Sequence, residues 1–208
     1  MPPLDAILEY EVIDNKTGRV INKGRQRVRS WLRLWIGLMY ILANTNDTLT
    51  PPTTSVVDTG GTTRSIPYLG TDFLYRLVPG FRALTGDTAR GLVVGSGSSP
   101  NTVDTYKLES QIGHGTNPGQ LQYGATSTSG IIQVSPEVLE VQYYRPFINS
   151  SGGDVVVKEC GIYAPMLDTD RNVRFFCALR DLINPPNGVV VPTEGALVIR
   201  YRFRITIS

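Results

Sequence analysis

Residues 196–208 read ALVIRYRFRITIS, and their alternation decides the class of fold. Ile199, Tyr201, Phe203, Ile205 and Ile207 fall on one side of an extended chain, with Arg200, Arg202, Arg204 and Thr206 on the other. A period of two is that of a strand with one face on a core and one toward water. The arginine side has no interleaved aromatics, because those point the opposite way. It therefore reads as an exposed sheet face paired with acids of a neighbouring strand or subunit, and not as a groove for single-stranded nucleic acid.

Upstream, from Phe73 onward, the pattern is strand, turn, strand. FRAL, ARGLVVGSG, GQLQYGAT, GIIQVSPEVLEVQYYRPFINS, DVVVKECGIYAP, VRFFCALRDLI and GVVVPTEG are the candidates, each bounded by Gly, Pro, Asn or Ser clusters. Strands without intervening helices predict an all-β domain over 73–208, a two-sheet sandwich of jelly-roll-like type. The 208 residues suffice for one substantial core, and the 21 Gly and 14 Pro are spread as turn formers through the chain. Charged residues are only 18%, below the roughly 25% of an average domain, so Ser, Thr, Asn and Gly must cover much of the surface.

The N-terminal part, residues 1–43, reads differently. LDAILEYEVID and RVINKG flank the turn NKTG, which predicts a hairpin. In GRQRVRSWLRLWIGLMYILANTND, Val28, Trp31, Leu32, Trp35, Leu38, Met39 and Leu42 recur at spacings of three and four, while Arg25, Arg29 and Arg33 line another face. That spacing predicts one amphipathic helix covering the sheet, with docking on a partner subunit or a membrane surface as the other uses of such a face. Its apolar run of about ten residues is half the roughly 20 a bilayer span needs, so no membrane span is expected. Residues 44–72 are rich in turn formers and predict a long ordered excursion or arm, with a short hairpin about Gly60 and Gly61. The start MPPLDAILEYEV lacks a basic segment, apolar core and cleavage site, so the expectation is synthesis in the cytoplasm without a secretory leader.

The chemistry-bearing segment is GLVVGSGSSPNTVDTYKLESQIGHGTNPGQLQYGA, residues 91–125. A phosphate-binding loop would need a lysine and a following helix, and a dinucleotide fingerprint would need glycine where Pro100 stands. A serine nucleophile needs a strand-to-helix elbow, and His114 sits between glycines in a loop. LDTDRN offers Asp168 and Asp170 beside Asn172 but lacks the glycine and distal glutamate of a calcium loop, so a hairpin turn is the reading. With one histidine and no ligand pairs, no metal, cofactor or catalytic residue is assigned, and a net charge of +2 argues against dedicated nucleic-acid binding. Cys160 and Cys177 flank LDTDRN, so a hairpin brings them near one another. Two reduced core thiols are the plainer reading, with a disulfide the alternative.

The same segment resembles one recurring in virion proteins of tailed bacteriophages: an apolar strand ending V-G-S-G, a Ser, Thr and Pro loop, then D-x-x-x-L-E-x-x-I. FINSSGGDVVVKECGIYAP and FFCALRDLINPPNGVVVPTEGALVIRYRFRITI resemble the later part of those proteins, with VPTEG one residue longer and Cys160 where smaller or β-branched residues are familiar. The resemblance covers residues 90–208 and, more faintly, the arginine-rich helix expected at 25–42, and implies a virion subunit that contacts copies of itself and other virion proteins such as capsid or tail proteins. In that setting Gly95 and Gly97 would end one strand and allow a tight turn where side chains would clash, and Tyr106, Leu108 and Ile112 would pin the next segment to the core. Candidate contact residues are Arg25, Arg29, Trp31, Arg33, Trp35, Tyr68, Arg200, Arg202 and Arg204. The alternative is a glycan-binding module of a tail or fibre, stacking sugars on Tyr68, Tyr123, Tyr143 and Tyr144.

Overall fold

The structure, a computed structural model, describes residues 4–28, 53–67 and 81–206. Their regular elements are all strands, as the alternation predicts: β1 (Leu4–Asp14), β2 (Val20–Arg27), β3 (Thr53–Val57), β4 (Thr63–Pro67), β5 (Gly91–Gly95), β6 (Gln122–Tyr123), β7 (Ser127–Ser135), β8 (Val138–Ile148), β9 (Val155–Val157), β10 (Glu159–Leu167), β11 (Val173–Leu182), β12 (Val189–Val191) and β13 (Gly195–Thr206). A six-stranded sheet runs β2-β1-β13-β8, with both β6 and β7 on the far side of β8. A second sheet runs β11-β10-β5, and two ribbons pair β12 with β9 and β3 with β4. Every named strand pair is antiparallel.

One core joins the two larger sheets. Leu8, Val12, Phe147, Leu197, Ile199 and Tyr201 come from the first; Leu92, Val94, Ile162, Phe176 and Leu179 come from the second. Burying such a side chain contributes about 1.5–3 kcal/mol, which fixes strand register because a slip of one residue would turn each of them to water. Polar ties cross between layers. The Tyr123 hydroxyl donates to the Ile112 carbonyl at 2.6 Å, that of Tyr201 to the Asp181 carboxylate at 2.9 Å, and Gln26 Nε2 to the Leu182 carbonyl at 2.6 Å.

Two sequence expectations fail here. The helix expected from Gly24 does not begin there: Gly24–Arg27 is the end of β2, so Arg25 lies on a strand. The cause is pairing with β1, where Arg25 faces Glu9 and the Tyr10 ring lies over Gly24, so closely that a Cβ would stand 2.4 Å from it. Arg29, Trp31, Arg33, Trp35 and Tyr68 lie outside the described residues. FRAL forms no strand, because its carbonyls are taken elsewhere: Ala83 O accepts from Thr126 N at 2.9 Å and Leu84 O from Arg145.

The hairpin about Gly60 and Gly61 has a twin. At the β3–β4 tip, Asp58 Oδ1 accepts from the amides of Gly60 and Thr62, and its Oδ2 from Arg64 Nε at 2.8 Å. At the β10–β11 tip, Asp168 does the same with the amides of Asp170 and Asn172 and with Arg174 Nε at 2.8 Å. Both tips read D-T-x-x-(T/N)-x-R, and the left-handed position falls on Gly61 in one and Arg171 in the other. They also exchange backbone bonds reciprocally, Thr59 N to Phe175 O at 2.8 Å and Thr169 N to Ser65 O at 3.0 Å. Each donor follows the Asp and each acceptor follows the Arg, so the two tips are related by a local two-fold.

Candidate functional site

The arginines of β13 stand on the outer face of the six-stranded sheet, in register with acids of the strands on either side. Glu9 of β1 meets Arg202 Nε at 2.7 Å, Arg200 at 3.7 Å and Arg25 of β2 at 3.6 Å. Glu140 of β8 accepts from Arg202 at 3.2 Å and from Arg204 Nε, and Gln142 Nε2 donates to it at 2.6 Å. The Glu140 side chain is only 1% exposed. Its burial works to raise the carboxyl pKa, but hydrogen bonds from Arg204 and Gln142 outweigh it and the net shift is downward. Arg200, Arg202 and Arg204 are therefore held by acids within the chain, as the alternation predicts. Arg200 also lies over the Tyr144 ring, 5.7 Å from its centroid.

The segment that sequence reading singled out for chemistry is organised by carboxylates acting on backbone. Glu159, at the start of β10 and fully buried, receives the amides of Gly97 (3.0 Å), Ser110 (2.8 Å) and Glu109 (3.1 Å), together with Arg180 Nε at 2.5 Å. Arg180 in turn donates to Asn101 Oδ1 at 2.6 Å. Glu109 accepts from the amides of Ser98 and Ser99 and from the Ser99 hydroxyl at 2.7–2.8 Å, bonds that hold its carboxyl below the usual range. Gly95 ends β5 and both glycines stand where side chains would clash, as expected, although residues 96–100 form no tight turn. A Cβ on Gly95 would meet Glu159 Oε1 at 2.5 Å, and one on Gly97 would meet Glu109 Cβ and Glu159 Oε1 at 2.5 Å. Leu108 and Ile112 are buried as expected, while Tyr106 is half-buried.

The remaining candidates are structurally engaged. Tyr123 is buried, its hydroxyl pushed up to about 12 by burial. Tyr143 packs edge-on between Phe81 and Phe203, at 5.5 and 5.7 Å. His114 is exposed, and its Nδ1 accepts the Tyr123 amide at 2.9 Å. Cys160 and Cys177 are both free and buried, and burial pushes both thiols up. The aspartates of LDTDRN hold a hairpin, and among the described residues no group of three or more His, Cys, Asp and Glu is placed to hold a metal ion. No helix among the described residues is long and apolar enough to cross a membrane.

Sequence reasoning missed Arg145, fully buried on β8. Its Nε donates to the Gly124 carbonyl (2.7 Å), Nη1 to Leu92 (2.7 Å) and Arg90 (3.3 Å), and Nη2 to Leu84 (3.0 Å) and Asp87 (2.8 Å). The guanidinium lies 4.8 Å from the Tyr123 ring centroid, and burial lowers its pKa to about 10. Parity was the available signal, since Arg145 falls on the same side of β8 as Tyr143 and Phe147. No protein-family model, curated protein or solved structure matches the chain.

Proposed function

We propose that the chain is a structural subunit of a tailed-bacteriophage virion, a capsid decoration or tail-associated protein acting through repeated contacts with its own copies and with other virion proteins. In this reading the two larger sheets form a jelly-roll-like β-sandwich, and the protein works by geometry and not by catalysis. The observation that carries the proposal is how the virion-like segment is built. Its Gly95, Gly97, Ser98, Ser99 and Glu109 are all consumed in folding a loop onto the buried Glu159–Arg180 pair, which gives these residues of the resembling motif a scaffold role. The hydrolase and phosphate-loop readings draw no support from that arrangement; of the sugar-stacking candidates Tyr123 is buried, Tyr143 is half-buried between Phe81 and Phe203, and Tyr144 is half-buried beside Arg200.

The test is the mass of the purified full chain by light scattering across a wide range of concentration. A discrete oligomer of the 22.8 kDa chain is expected. A monomer at every concentration would remove self-contact and, with it, the subunit reading.

A further inference from the structure

The six-stranded sheet ends in two edges of opposite character. β2 carries Lys23, Arg25 and Arg27 along eight residues. β7, STSGIIQVS, carries no charged residue and no proline over nine. Natural edges are normally blunted by charge or proline, because their free amides and carbonyls invite another strand. Among the described residues no strand pairs with the outer side of β7.

An apolar strip adjoins that edge. The face of the sheet that carries Tyr201 and Tyr143 continues through Phe203, Val141 and Ile131, and then through Ile205 and Leu139, which are cross-strand neighbours by register. Past Phe203 the strip is open: Ile131 is 77% exposed, Ile205 45% and Leu139 41%. Val134 on the same strand is 50% exposed. Register irregularities at Thr128/Ile131 and Gln133/Ser135 bracket Ile131–Gln133, where β7 stays in step with β8 and presents a regular edge.

We propose that β7 is the surface through which a second copy of this chain docks, edge to edge and antiparallel across a two-fold, continuing the sheet between copies. The inference rests on the subunit reading above and names its contact. Charge selects the occupant. A two-fold sets each edge against itself, so a β2 pair would place Lys23, Arg25 and Arg27 against the same cations, whereas a β7 pair opposes only Ser, Thr, Gly, Gln, Ile and Val. Main-chain bonds supply the pairing and bring Ile131 of the two copies near one another, while Leu139 and Ile205, one and two strands further in, continue the apolar face on either side.

The experiment uses the full chain. Sedimentation velocity is run on the wild type, on Ile131→Lys, and on Val20→Lys at the opposite edge, with far-UV circular dichroism to show that each is folded. Ile131 and Val20 are both exposed, so neither substitution touches the core. Ile131→Lys is expected to weaken self-association by at least about tenfold, since like charges are brought together at the two-fold, while Val20→Lys leaves it unchanged. Amide hydrogen exchange at Ile131–Ser135 is expected to slow as concentration rises. An oligomer insensitive to Ile131→Lys, with β7 amides that exchange equally fast at all concentrations, overturns the β7 contact and leaves the subunit reading standing. A wild-type monomer throughout overturns both.

Discussion

Replacing Arg145 tests how the layers are locked together. Its guanidinium meets five carbonyls, those of Leu84, Asp87, Arg90, Leu92 and Gly124, from the loop before β5, from β5 itself and from the turn after β6. Among the described residues no carboxylate pairs with it. In Arg145→Met the aliphatic stem is kept and those carbonyls lose their donor; a stranded buried polar group costs about 1–3 kcal/mol. Some retain another partner, as Leu84 O does with the Asp87 amide, and the variant no longer has to desolvate a cation. Weighing these, Arg145→Met should lose about 3–5 kcal/mol, a large share of the roughly 5–15 kcal/mol of a typical domain. Arg145→Lys, which keeps the charge but offers three donors, should lose about half as much. Urea unfolding followed by far-UV circular dichroism gives both values, and hydrogen exchange should show residues 81–91 opening before the sheets. A loss below about 1 kcal/mol for Arg145→Met would refute the view that this side chain holds the loop to the sheet.

Two further outcomes follow from the carboxylates. Gly97→Ala should cost about 1–3 kcal/mol in urea unfolding, because the added methyl meets Glu109 and Glu159, whereas Gly153→Ala, with nothing within 4 Å, should be near neutral; equal effects would show that the contact is not limiting. The Glu140 carboxyl lies below its ordinary value of 4.5 in the folded chain, so its contribution is complete above that pH and declines as pH falls from there toward the folded value. Urea midpoints measured between about pH 7 and pH 3 should show a smaller acid loss in Glu140→Gln than in the wild type, and parallel curves would count against the ladder.

The sequence carried the strands because burial on one face of a sheet writes itself as alternation. β13, the NKTG turn and the Gly60–Gly61 hairpin were all legible in this way. It misled at Gly24–Arg27, where Arg25 and Arg29 suit a helix and Arg25 and Arg27 suit a strand equally well; the acids that decide, Glu9 and Asp5, lie a hairpin away. Gly95 and Gly97 were legible as positions where a side chain would clash, but not what it would clash with, a carboxylate more than sixty residues along the chain. Arg145 was hidden for a related reason: its acceptors are carbonyls, which have no letter in the sequence. Glu159, the one charged residue of β10, and Arg180, beside Asp181 on β11, carry their meaning only once the two strands are paired.

The twin tips at Asp58 and Asp168 bear on how this chain tolerates sequence drift. The two bonds that fasten one hairpin to the other run between backbone atoms, so no replacement at Thr59, Ser65, Thr169 or Phe175 other than proline at Thr59 or Thr169 deletes them outright. The side-chain constraint at each tip therefore falls mainly on the Asp that shapes the turn, the Arg that braces it and the left-handed position, Gly61 or Arg171. The other exposed positions between Asp and Arg are left open to vary, a pair of matched surface loops that can change chemistry while the join beneath them stays fixed.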